Sequence, residues 1–171
     1  MPQWTAKGLY QSTLSLSSTR ANIKPSPDKQ IEKIIPFAGT KIILFQLSMA
    51  GVTQKNVRHQ VNVLFTGIDI KREPTDGYIK ISDKTGDYWY SKPSANSSTI
   101  RYRCTCKDAY FTWLIWDFKQ GAIFGDKPRP YKRLTPLPPK GYPYRNPDEI
   151  PGACKHFFNS IKHLQANKYI N

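Results

Sequence analysis

Three cysteines and one histidine constrain this 171-residue chain more than anything else in it. Cys104-Thr105-Cys106 lies in an aromatic stretch, and Cys154-Lys155-His156 follows nearly fifty residues later. A one-residue spacer lets two side chains from a turn reach a common point. Two such half-sites, brought together by folding, would complete a tetrahedral Cys3His metal site. No thiol lies outside this C-x-C…C-x-H pattern, so nothing is left over for an ordinary disulfide framework. The long gap would then be a loop closed by metal, and that closure would contribute to folding free energy directly. The competing account is three small buried residues, since free cysteine is among the most buried residue types. Strand geometry speaks against it, because residues 104 and 106 of a strand share one face and aim at a common target.

Thiolates suit zinc and iron–sulfur chemistry alike. The predicted metal ligands Cys104, Cys106, Cys154 and His156 would hold Zn2+ or, as the alternative, an iron–sulfur cluster. The short C-x-C spacing favours zinc. A redox role is a third possibility, with Cys104 and Cys106 as a strained disulfide or one thiol joined to a partner chain.

The pattern resembles SWIM-type zinc motifs, although the proline-rich, basic filling between the half-sites departs from SWIM usage. The wider wording is Tyr102-Arg103-Cys104-Thr105-Cys106-Lys107-Asp108-Ala109-Tyr110-Phe111-Thr112-Trp113, with Pro151-Gly152-Ala153-Cys154-Lys155-His156. It is similar to a family of virion structural proteins of tailed bacteriophages, cyanophages among them, over roughly residues 99–165. The resemblance implies a structural component of a phage tail or baseplate, or of the neck, contacting other virion subunits in a multi-copy, ring-like assembly. It also implies localisation in the virion after synthesis in the host cytoplasm.

Length allows one domain with a proper core, and no apolar run approaches a membrane span. The Met1-Pro2-Gln3-Trp4 start has none of the marks of a secretory signal. Net charge is +14, with +6 in residues 1–100 and +8 in residues 101–171, so the excess is spread over the chain. Such a surface attracts polyanions or an acidic protein neighbour.

The expected fold class is α+β: a β-rich antiparallel core over residues 1–98, then a metal-bound module over 99–171 with a C-terminal amphipathic helix tied to the core. Gly8 to Leu16 alternates in part and suggests a strand with one wet face, whereas Ile31 to Phe37 is short and mixed. Lys41 to Met49 and His59 to Thr66 suggest buried strands, with His59 an edge or loop residue rather than a ligand. Asp83-Lys84-Thr85-Gly86 between Gly77-Tyr78-Ile79-Lys80-Ile81 and Asp87-Tyr88-Trp89-Tyr90 marks a hairpin. Ile100 to Cys106 alternates strictly, with Tyr102 and both sulfurs inward, and the aromatic run Asp108 to Phe118 suggests a short helix. Cys154, Phe157, Phe158, Ile161 and Leu164 share one stripe of a helix over 151–167, with His156 beside it and His163 at the surface.

Lys127 to Pro147 holds seven prolines, six Lys/Arg and three tyrosines in 21 residues. Proline fixes φ and removes donors, so the segment should run extended. We expect an intersubunit arm, presenting Tyr131, Tyr142 and Tyr144 among cations.

No enzyme is expected. Cys154 and His156 stand two residues apart at a helix start with no orienting acid, and neither G-x-S-x-G nor H-E-x-x-H occurs, so no catalytic residue is assigned. The alternative function is a nucleic-acid-binding zinc module, with positive charge, ten tyrosines and four tryptophans available for stacking.

Overall fold

The computed structural model describes residues 3–16, 23–51, 56–129, 146 and 148–171. In chain order they form helix α1 (Ala6–Leu16), strands β1 (Lys29–Phe37), β2 (Ile42–Ala50), β3 (Arg58–Thr66), β4 (Ile70–Lys71), β5 (Ile79–Asp83), β6 (Gly86–Tyr90) and β7 (Ile100–Cys104), then helices α2 (Leu114–Lys119) and α3 (Lys155–Ala166). The strands make two antiparallel sheets, ordered β1-β2-β3-β7 and β4-β6-β5. This is the α+β class expected, with an antiparallel β core and a C-terminal helix. The four-stranded sheet draws on both sequence segments, because β7 pairs with β3.

Alternation sets the faces. Ile43, Phe45, Leu47 and Met49 of β2 and Val61, Val63 and Phe65 of β3 are fully buried, and the register Phe45↔Val63↔Tyr102 carries the same face onto β7. Helix α3 covers this face with Phe157 and Leu164, and the Phe157 ring lies 4.5 Å from that of Tyr102. The three-stranded sheet joins the same core through Tyr90, whose ring is 6.2 Å from Phe45. Its hairpin turns at Lys84 and Thr85 where the Asp83-Lys84-Thr85-Gly86 wording placed it, and Gly86 supplies the positive φ of 125°.

Two expectations need correction. Gly8 to Leu16 belongs to helix α1, not to a strand. Its buried positions, Ala6, Leu9 and Thr13, recur at i, i+3 and i+7, and the Thr13 hydroxyl is satisfied by the Leu9 carbonyl at 2.8 Å. The helical period was hidden because one of its inward positions is a threonine. The C-terminal helix begins at Lys155 rather than 151: Pro151 to Ala153 run non-helically to the N-cap Cys154 (φ −77°, ψ 162°). Their backbone groups bond elsewhere, with Ala153 N–H donating to Thr13 Oγ1 at 2.9 Å and Ser12 donating to the Pro151 carbonyl. The mixed segment 31–37 is part of β1. Of the proline-rich arm, residues 130–145 and 147 lie outside the described residues.

Candidate metal centre

The first half-site is a knuckle at the end of β7. Cys104 is the last residue of the strand, and the alternation carries one step past it: Cys104 and Cys106 are buried with Thr105 exposed between them, so both sulfurs point inward. The turn is pinned to β3 on both sides of its middle residue. Thr105 N–H donates to the Gln60 carbonyl at 3.1 Å, and Gln60 N–H donates to Thr105 Oγ1 at 3.0 Å. Immediately after it the chain makes a π-helical turn, Ala109–Trp113, that runs into α2. The aromatic run is helical as expected, and its opening sends Ala109 N–H to Cys106 Sγ at 3.3 Å. Such a bond orients a thiolate toward a metal.

The second half-site opens α3, with Cys154 as N-cap and His156 in the first turn. Both ligands of this half-site thus lie at the positive end of the helix. Its approach is fixed by Gly152, over which the Trp113 ring packs so closely that a Cβ there would lie 2.4 Å from a ring carbon. Helix α1 holds the segment through Thr13, whose Oγ1 accepts Ala153 N–H.

Cys104, Cys106, Cys154 and His156 are all buried, and their ligand atoms lie within 4.8 Å of one another. A tetrahedron of ~2.3 Å zinc–sulfur bonds has sulfur–sulfur edges of ~3.8 Å, so the donors need to draw in by at most about an ångström. The donor chemistry fits a metal. Both ring nitrogens of His156 are buried without a protein partner, an expensive state that a metal bond at one of them removes. All three cysteines carry free thiols. Hydrogen bonds from Cys104 and then Cys154 lower the Cys106 pKa from the usual thiol range. Cys154 is pushed up by burial, and Cys104 chiefly by its proton-sharing with Cys106. All four predicted ligands thus meet at one buried point that can hold a metal ion.

No family model, curated protein or solved structure matches this chain. What the centre can do follows from its own geometry. Four protein donors are the number a closed tetrahedral structural site uses, whereas catalytic sites keep a position for water or substrate.

Two neighbours of the centre were not legible in the sequence. His59, expected at an edge or loop, lies inside β3, and its ring centroid is 4.5 Å from that of His156. Burial, and next the neighbouring His156, lower its pKa. Register places it there: Val61 pairs with Cys104, so the residue two before Val61 sits opposite the knuckle. Only knowledge of the strand pairing could have found it. The other is Asp117, wholly buried, accepting Gly152 N–H at 2.9 Å and lying 2.8 Å from the Tyr102 hydroxyl. Burial raises its carboxyl pKa well above the ordinary range. The Tyr102 hydroxyl is also 2.9 Å from the Gly152 carbonyl, and one phenol hydrogen cannot serve both acceptors. The two acceptors compete for that hydrogen, and the raised Asp117 pKa favours the neutral carboxyl beside it. His163 is half-buried on α3 and takes no part in the centre.

Proposed function

We propose that the chain is a non-enzymatic structural component of a tailed-phage virion, built into the tail or baseplate, with a structural zinc ion locking its C-terminal helix to the sheet. The observation that carries the structural role is the closed, buried Cys3His set, which offers no open coordination position. Four donor atoms within 4.8 Å enclose a single ion, which favours zinc over the larger core of an iron–sulfur cluster. The virion placement is supported by the wording around the two half-sites, and the +14 charge suits acidic neighbouring subunits. No described helix is long and apolar enough to cross a membrane. The test is co-purification. The protein should band with intact particles at a fixed copy number, and ligand replacement should lower the yield of complete tails. Absence from purified particles would refute the placement.

A second reading, a nucleic-acid-binding zinc module, draws on one feature: the exposed, edge-to-face rings of Tyr110 and Phe111 lie just after Lys107 and the ligand Cys106. Oligonucleotide binding that persists at physiological salt and is lost on replacing both rings by alanine would favour it. Binding that vanishes with salt alone would be bare electrostatics.

A further inference from the structure

Two outer strands line one open groove. β1 is the outer strand of the four-stranded sheet and β5 an outer strand of the three-stranded one. The groove has a volume of about 700 Å3 and is lined by the consecutive residues 31–35, the consecutive residues 80–85, and Tyr169. Successive residues of a strand point to opposite faces, so a groove lined by an unbroken run meets the strand's edge and not one of its faces.

The two edges are not equivalent. β1 carries a register shift at Glu32 and has Pro36, which lacks a donor, so it cannot support a continuous ladder. β5 is regular and free of proline. Asp83 and Gly86 close its hairpin, and bonded and non-bonded pairs alternate along an antiparallel ladder. Asp83, Ile81 and Ile79 therefore bond to β6, while the backbone groups of Lys80 and Ser82 point outward. Neither of these has a backbone partner among the described residues. Five residues at about 3.3 Å each give an edge of ~17 Å, long enough for one short strand.

We propose that the free edge of β5 accepts an extended segment of another protein, alternately apolar and acidic, which adds a strand there by main-chain hydrogen bonding. The side chains decide the alternation. Ile31, Ile34 and Ile81, which pack against the core, offer an apolar lining to every second residue of the incoming strand. Lys33, Lys80 and Lys84 face the groove with the opposite character. Lys80 is bonded to Asp87 at 2.6 Å, but Lys33 and Lys84 make no ion pair among the described residues. Of the two carboxylates on the groove, Asp83 is turned onto Thr85, whose N–H and hydroxyl donate to it at 2.7 and 2.6 Å, which leaves Glu32. Lysines on an edge deter apolar and basic strands and admit an acidic one. A second copy of this chain, at +14, brings like charge to the same edge, so the occupant is a different protein. The edge is independent of the metal centre and of the virion reading.

The test uses ten-residue probe peptides, one alternating valine with glutamate, one alternating valine with lysine, and one glutamate peptide N-methylated at every second residue. The glutamate peptide should bind the full chain at least about tenfold more tightly than the lysine peptide at low salt, and N-methylation should abolish binding. Hydrogen exchange should slow at the Lys80 and Ser82 amides. Ser82→Pro, which removes one outward donor without touching the β5–β6 ladder, should lose the peptide. Lys80→Glu with Lys84→Glu should reverse the charge preference, a readout that a folding defect cannot mimic. Three results would overturn the proposal: no binding of either unmodified peptide, protection that falls on β1 or elsewhere and not on residues 80 and 82, or a dimer of the chain that protects those two amides with no peptide present.

Discussion

Asp117 is a wholly buried carboxyl group whose burial favours the neutral form. Its pKa is raised in the folded chain, so its contribution to stability is full below the ordinary carboxyl pKa and is lost as pH rises through the native value. Each pH unit in that window costs about 1.4 kcal/mol. Asp117→Asn keeps an acceptor for Gly152 N–H and a donor for Tyr102 without the ionisable proton. The variant is expected to match the wild type near pH 4 and to exceed it increasingly toward pH 8, as denaturant melts of the metal-loaded proteins would measure. The ligands carry a second pH dependence of opposite sign. Burial raises the Cys154 pKa, so metal must displace thiol protons when it binds. Affinity should rise with pH, and calorimetry in buffers of different ionisation enthalpy should show proton release; pH-independent affinity would contradict binding through thiolates. The four ligands were legible because soft donors are rare in the chain and fall in two tight pairs. Asp117 and His59 were not, because a carboxylate in an aromatic run and an imidazole at a strand's start acquire meaning only through pairing and packing.

At the scale of elements, the centre depends on a segment with no regular structure of its own. Pro151 to Ala153 hang between α1, Asp117 and the Trp113 ring. Gly152→Ala would drive a methyl into that indole and onto Thr13 Oγ1, and the backbone cannot shift away without giving up its bonds to Asp117 and Thr13. We expect a loss of about 1–3 kcal/mol in stability, together with weaker metal retention under chelator, because the same shift displaces Cys154. Wild-type melting and retention in this variant would show the approach to be slack. The strands and the hairpin could be read from alternation and turn chemistry, which depend on neighbours in sequence. Helix α1 could not, since its inward Thr13 counts as polar until Ala153 arrives, 140 residues later, to use its hydroxyl. The start of α3 was misplaced for the same reason: proline and acidic residues advertise a first turn at 151, but long-range hydrogen bonds hold Pro151 to Ala153 out of the helix.

For the whole molecule, the central claim is that one metal ion, bound by Cys104, Cys106, Cys154 and His156, joins the C-terminal helix to the sheet. Such a chain has a core that survives metal loss better than its C-terminal docking does, because the ladders that join β1, β2 and β3 do not involve the ion. Chelation should therefore speed hydrogen exchange in α3 and at the 104–106 knuckle before it does so in β2 and β3. The most direct measurement is metal content with thiol reactivity on the same native sample, for the wild type, Cys106→Ser and His59→Ala. One zinc per chain with all three thiols protected is expected in the wild type and in His59→Ala, and loss of zinc with a loosened α3 in Cys106→Ser. Three freely reactive thiols in the native wild-type protein, with neither zinc nor iron bound, would contradict the account outright.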